Sequence, residues 1–349
     1  MKTTIPAGAM TLACLLSACG TSVAPEGLAG PGPVDPVPVA CPAPVPAVLK
    51  AEIPCSQRAD ERVQAMSDAG IGRTSELGLP GGRYALPATA TPTQLVVMFH
   101  GHQNDSCSWR EHLRSVAERG GVAVAMDYSS QYDGEIPGFG FIENWGWSVR
   151  SGAVDSIAAA RYFLARYPSI TQVINFGTSM GGNTSGYAAY SEDAVRADCT
   201  PLWDYWIATE GVHNLTEEYL GTRALNPALP LAAQAQREIE EENGGTIEAV
   251  PERYAEITNV LHAQSLGYLK GAVFTHGSTD QTVPVDQSRQ MTEQLRAAGV
   301  PVHFYPVVPS DHVWEGDPTK QVMRIGLDEL FRIMEGGSIS DGETPVAGP

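Results

Sequence analysis

Basic residues are scarce in this chain. It carries 22 Lys and Arg against 40 Asp and Glu in 349 residues, a formal charge of −18. A surface of that sign repels nucleic acid and anionic membrane faces, which excludes both as principal partners. It selects no substrate, because an acidic surface serves solubility first. The chain also lacks a C-x-x-C pair or any Cys/His cluster with metal-ligand spacing, so no metal or other cofactor is expected. The apolar run Ile5 to Leu16 is too short for a membrane span. What is present is an ordinary globular content: hydrophobic residues at 43% and charged residues at 18% suffice for one large domain or two small ones.

The N-terminus reads as a targeting segment over residues 1–18. Lys2 gives a minimal positive start, and the apolar run ends in Leu16-Ser17-Ala18-Cys19-Gly20. That sequence resembles the lipobox of bacterial lipoproteins, which implies cleavage before Cys19, lipidation of its thiol and membrane attachment through acyl chains. An ordinary secretory signal cleaved nearby is the other reading, and either one exports the protein. Export gives the cysteines a meaning. With Cys14 and Cys19 set aside, Cys41, Cys55, Cys107 and Cys199 remain, enough for two disulfides in three possible pairings. The expected pairing is Cys41–Cys55 with Cys107–Cys199, since the first two lie outside the core of the domain.

Residues 19–48 are Pro, Ala, Val and Gly with hardly a charge, an extended tether. A catalytic domain is expected over 49–340 and a loose tail over 341–349. Ser56 to Ala69 reads as an amphipathic helix and Gly82 to Leu86 as a short edge strand. Leu95 to Phe99 is a continuous apolar run, as in a buried parallel strand. Strands then alternate with helices: Trp109–Glu118 helix, Val122–Met126 strand, Ser151–Arg166 helix, and a strand over Gln172–Phe176. Further strands are expected at Tyr205–Thr209, Ala272–Thr275 and Val302–Pro306, with helices at Val285–Ala298 and Lys320–Met334. This alternation indicates an α/β fold with a mostly parallel central sheet flanked by helices. About fifty acidic residues, roughly 211–261, break the rhythm and read as a helical cap inserted over the C-terminal edge of the sheet.

The chain is organised around Val173-Ile174-Asn175-Phe176-Gly177-Thr178-Ser179-Met180-Gly181-Gly182-Asn183. Here an apolar strand meets a helix of small residues through a G-x-S-x-G turn, and Gly177 and Gly181 supply the clearance such a turn needs. Ser179 at the apex is placed for nucleophilic attack, with the Met180 N–H aimed where an oxyanion would form. A serine nucleophile needs a base, and the base needs a carboxylate. Of the eight histidines, His312 fits best, in the loop after the last strand; His100 reads as a loop-packing residue and His303 as a structural one. Asp280 is the expected acid, in a loop leaving a strand through Gly277, with Asp286, Asp311 and Glu210 as competitors. The second oxyanion donor is expected from His100-Gly101-His102-Gln103, at the His102 N–H. Trp145, Trp147 and Trp314 are candidates for the walls of a substrate pocket.

Strand-His100-Gly101, Gly177-x-Ser179-x-Gly181 and His276-Gly277-x-x-Asp280-x-x-Val283-Pro284 followed by Asp311-His312 resemble the α/β-hydrolase superfamily. The last eighty residues are most similar to the catalytic domains of prolyl-oligopeptidase-like proteins and their esterase relatives. The resemblance implies an eight-stranded, mostly parallel sheet and acyl transfer through Ser179, His312 and Asp280 with no cofactor. Dienelactone hydrolases share the fold but carry cysteine where this chain has Ser179. The chain has no room for the large N-terminal propeller of true prolyl oligopeptidases, which favours a small-molecule or polymer-linked ester as substrate. Peptidase or amidase activity at the same triad, and a non-catalytic binding lipoprotein, are the competing readings.

Overall fold

The computed structural model describes residues 41–349 except Ile53, Ala59, 137–139, 226–229, Glu315, Pro318 and Pro349. A ten-stranded sheet forms the centre. Its first strands are β1 (Ile71–Arg73), β2 (Gly82–Ala85), β3 (Gln94–Phe99) and β4 (Val122–Met126). β5 (Tyr132–Ile136) and β6 (Gly140–Trp145) form a separate antiparallel hairpin. The rest are β7 (Gln172–Thr178), β8 (Tyr205–Thr209), β9 (Gly271–Gly277), β10 (Val302–Val308), β11 (Gly342–Glu343) and β12 (Val346–Ala347). The order is β1-β2-β4-β3-β7-β8-β9-β10-β11, with β12 also on β10. From β4 through β10 every neighbouring pair is parallel, and β1 and β2 run antiparallel.

Alternation along the central strands explains the layers. Leu95, Val97 and Phe99 face one cluster while Val96 and Met98 face the other, all fully buried. A sheet buried on both faces needs helices on both. On the first face lie α3 (Val149–Arg166), α4 (Met180–Tyr190) and α8 (Asp286–Ala297). On the second lie α2 (Arg110–Glu118) and α9 (Gln321–Met334), which bury Leu113, Val116, Val322, Met323 and Leu330. Each such aliphatic side chain contributes roughly 1.5–3 kcal/mol by leaving water.

The insertion folds as α5 (Leu215–Leu225), α6 (Pro230–Asn243) and α7 (Pro251–Glu256). Arg150 on α3 anchors it by donating to Glu256 Oε2 at 2.8 Å and Glu242 Oε1 at 3.4 Å. Asn183 Nδ2 donates to the Ile257 carbonyl at 2.6 Å, and Asn259 Nδ2 to the Gly182 carbonyl at 3.1 Å, which seats the end of the insertion on α4.

Several expectations change. Helix is confined to α1 (Glu61–Ala65), because Cys55–Gln57 is a 3-10 turn tied down by a disulfide. β2 is not an edge, since β1 pairs outside it. The expected loose tail instead pairs: Val346 and Ala347 lie beside Val307 and Val308, and Gly342 and Glu343 beside His303 and Phe304. β10 would otherwise leave its outer N–H and C=O groups unpaired, and these two short strands cover them. The disulfides are Cys41–Cys199 and Cys55–Cys107, with Cα–Cα separations of 5.3 and 5.6 Å, not the expected pairs. The segment between Cys41 and Cys55 does not fold back on itself. It runs from the α4–β8 loop, which holds the exposed Cys199, to the turn before α2, which holds the buried Cys107.

Peptide mapping without reduction should recover Cys41–Cys199 and Cys55–Cys107; a Cys41–Cys55 peptide would contradict this path. Replacing Cys55 and Cys107 by Ala should cost about 2–4 kcal/mol in urea unfolding, and an unchanged midpoint would mean that the bond is not a constraint on the unfolded chain.

Candidate functional site

β7 ends at Thr178 and α4 starts at Met180, which leaves Ser179 alone to make the reversal. Its φ of 55° and ψ of −124° are a strained conformation for a residue with a side chain. The turn is tight enough that a Cβ on Gly181 would stand 2.1 Å from the Phe99 carbonyl oxygen, and one on Gly177 2.2 Å from the Gly181 oxygen. Glycine at these two positions lets α4 press against the end of β3. Ser179 stays half-buried while Thr178 and Met180 on either side are buried, so the side chain is lifted to the surface of the sheet's edge. Met180 is the first residue of α4, where backbone N–H groups have no intrahelical acceptor.

The expected base and acid, His312 and Asp280, sit on the two loops that leave β10 and β9. His312 Nδ1 is 2.6 Å from Asp280 Oδ2. The carboxylate is held from below as well: Thr282 and Val283 donate their N–H groups to Oδ1 at 2.8 and 2.9 Å, and His276 Nε2 lies 3.3 Å from Oδ2. His276 is fixed in turn by Ser288 Oγ at 2.7 Å and the Val283 carbonyl at 2.8 Å. Burial opposes charge on Asp280, but the hydrogen bonds from His276 and His312 outweigh it and hold the carboxyl well below its usual range. Burial also opposes charge on His312. The Asp280 hydrogen bond, with the charges of Asp280, Glu210 and Glu218, reverses that and raises the imidazole above its ordinary 6.5.

Glu210, a competitor for the acid in the sequence, lies beside the pair with Oε2 3.6 Å from His312 Nδ1. Burial pushes its carboxyl up to about 7. Glu218 on α5 is also buried and likewise pushed up to about 7, accepting from Gln287 Nε2 at 2.9 Å. Sequence reasoning missed Glu218; only its place in the inserted segment pointed to this edge. Among the described residues, Glu210, Asp280 and His312 also form a group compact enough to hold a metal ion, with donor atoms within 4.8 Å of one another. Their carboxylate oxygens already accept N–H groups from Gly277, Thr282, Val283, Val313 and the imidazoles, so protein donors satisfy the set.

The loop after β3 lies against the elbow, as Gly181's approach to Phe99 and His100 requires. His100 is buried, stacked on Tyr128 at 3.8 Å, with Nδ1 2.8 Å from the Gly101 carbonyl; burial pushes its ring down to about 4. The His102 ring reaches the other way, bonding through Nε2 to Glu238 on α6 and lying 5.6 Å from the Trp147 ring. Trp147 is buried against that loop. The Trp145 side chain and Cys19 lie outside the described residues. The Trp314 ring packs on Cys55, Val63 and Cys107, with the Arg62 guanidinium 4.1 Å from its centroid. The N-terminal segment occupies that face of the ring.

The model of the prolyl oligopeptidase family matches residues 108–328. Similar solved structures include an acylaminoacyl peptidase of Pyrococcus horikoshii, at TM-score 0.53 and 17% identity over 75% of this chain and 40% of that one. A puromycin-hydrolysing peptidase of Mycobacterium tuberculosis matches at TM-score 0.53 and 17% identity, over 79% of this chain and 40% of that one. A butyrate-bound esterase, Est2 of Thermogutta terrifontis, matches at TM-score 0.51 and 19% identity, over 84% of this chain and 96% of that one. The chain thus spans about two fifths of each peptidase's length and nearly all of the esterase's. No curated protein sequence matches it. These likenesses show the α/β-hydrolase fold.

Because Asp280 stays ionised and raises the imidazole, an NMR titration should place His312's midpoint above pH 6.5, with the neutral ring predominant only above that midpoint. A midpoint at or below 6 would mean that burial, and not the carboxylates, controls the ring.

Proposed function

We propose, from the premise that this chain belongs to the prolyl oligopeptidase family of serine hydrolases, that it is an exported esterase. The observation that carries the reading is the short His312–Asp280 hydrogen bond on loops at the edge where the strained Ser179 turn is presented. In this reading His312 Nε2 takes the Ser179 Oγ proton as the oxygen attacks an ester carbonyl. Asp280 holds the Nδ1 proton and steadies the imidazolium that forms. The Met180 and His102 N–H groups hold the oxyanion, each contributing about 3–4 kcal/mol to the transition state. The imidazolium then protonates the leaving alcohol, and water, activated by the same ring, hydrolyses the acyl-enzyme.

Ester rather than peptide cleavage is proposed from the likeness to an esterase, which the match covers over 96% of its length against 40% for each peptidase. A small helical insertion and aromatic side chains such as Trp147 suit a compact ester. Peptidase or amidase activity is the second reading, supported by the family match itself. Two disulfides suit an oxidising compartment, and among the described residues no helix is long and apolar enough to cross a membrane. Attachment through a lipid on Cys19 is the proposed form of export.

A fluorophosphonate probe should label Ser179, and p-nitrophenyl esters should turn over faster than matched peptide amides. Ser179→Ala should abolish labelling and lower ester turnover by about 10⁴-fold or more with unfolding unchanged. A folded protein that resists the probe would end the hydrolase reading; faster amide cleavage would promote the peptidase. Fatty-acid incorporation that persists in Cys19→Ala would refute the anchor.

A further inference from the structure

The turn after β8 does more than end a strand. Thr209 accepts the Ser179 N–H at 3.1 Å, and the Val212 N–H donates back to the Ser179 carbonyl at 3.0 Å. The nucleophile is therefore held by hydrogen bonds on both sides of residue 210. Glu210 sits between those contacts with φ at 49°, a left-handed conformation that costs a residue with a side chain about 1 kcal/mol or more. Its own N–H donates to Thr275 on β9 at 2.8 Å.

The buried side chain points to the remaining two loops. Oε1 accepts the Gly277 N–H at 3.1 Å, at the point where β9 gives way to the Asp280 loop. Oε2 accepts the Val313 N–H at 2.5 Å, next to His312 in sequence, and stands 3.6 Å from His312 Nδ1. One residue thus touches the strand and loop of the acid, the loop of the base and, through its flanking residues, the nucleophile. A carboxylate that only filled space would not need both oxygens on loop N–H groups, nor a strained backbone to deliver them.

We propose that Glu210 is a positioning residue for the reaction: a second orienting carboxylate for His312 and a brace between the three catalytic loops. The proposal rests on the Ser179–His312–Asp280 reading. Asp280 is the primary acceptor of the Nδ1 proton, and Glu210 is the reserve, reached by a ring movement of under about 1 Å.

The test uses the full chain as wild type, Glu210→Gln, Asp280→Asn and the double variant, with kcat and KM for a p-nitrophenyl ester. Loss of an orienting carboxylate with no substitute costs about 10⁴-fold in kcat. Here Asp280→Asn should lose only about 10²-fold and Glu210→Gln about tenfold, each with KM within about twofold, and the double variant about 10⁴-fold, more than the product of the two. An Asp280→Asn protein that already loses 10⁴-fold, with no further loss on adding Glu210→Gln, overturns the proposal. The low-field NMR resonance of the His312 Nδ1 proton supplies a readout independent of turnover. It should persist in Asp280→Asn and vanish in the double variant; its disappearance in Asp280→Asn overturns the reserve role. Should Glu210→Gln unfold, the Asp280→Asn resonance alone decides. A wild type that cleaves no ester yet shows this resonance pattern sinks the esterase reading and leaves Glu210 in place.

Discussion

The rest of the site depends on the contact between the start of α4 and the end of β3. Because Gly181 brings the helix backbone against the Phe99 and His100 carbonyls, the first turn of α4 and the loop after β3 share one small volume. Their N–H groups can then converge on a single point, which two elements kept apart by side chains could not do. The strain at Ser179 follows from the same contact: a strand that must hand over to a helix pressed that tightly has room for one residue only, and that residue takes positive φ. The stabilisation that offsets it comes from the sheet, where β7 lies between β3 and β8 with both faces buried.

Around that contact the protein collects acids. Asp280, Glu210, Glu218 and Glu238 are all buried; imidazoles stand beside Asp280, Glu210 and Glu238, and the Gln287 amide beside Glu218. Burial drives Glu210 and Glu218 toward neutrality despite the N–H groups they accept, whereas at Asp280 the hydrogen bonds from His276 and His312 outweigh burial and drive the carboxyl the other way. The two imidazole bonds therefore decide which acid of the group stays charged beside His312. This is a division of labour among like groups, and it makes Asp280 the partner that is ionised at neutral pH.

Much of this was readable in the residues. The runs Leu95–Phe99, Val122–Met126 and Tyr205–Thr209 announce buried parallel strands because a strand covered on both faces has no need for polar alternation. The elbow was readable because its glycines are a steric requirement of local sequence. Less local features were not. The pairing of Cys41 with Cys199 spans 158 residues and depends on where an irregular segment runs, which no periodicity encodes. β11 and β12 are two residues each, too short to carry a pattern. Glu210 could be seen as a rival to Asp280 but not as its companion, since only the folded loops bring both within reach of one imidazole.

The disulfides bear on the site through the loop that carries His312. His312 lies on a segment fastened at three points: Ser310 accepts from Thr279 at 3.0 Å, Val313 donates to Glu210, and Trp314 packs beneath Arg62 on the Cys55–Cys107 bond. The first two fix the loop to the sheet, and the third fixes it to the N-terminal segment. That segment holds little helix and buries few apolar side chains, so burial alone would not keep it in place. The covalent bond to Cys107 anchors it to the turn before α2, alongside hydrogen bonds from Arg110 to the Val63 carbonyl and from Arg114 to the Ser67 and Ala69 carbonyls. The Cys55–Cys107 bond is thereby part of the local chemistry: it helps to keep in position the surface against which Trp314, two residues after His312, is packed.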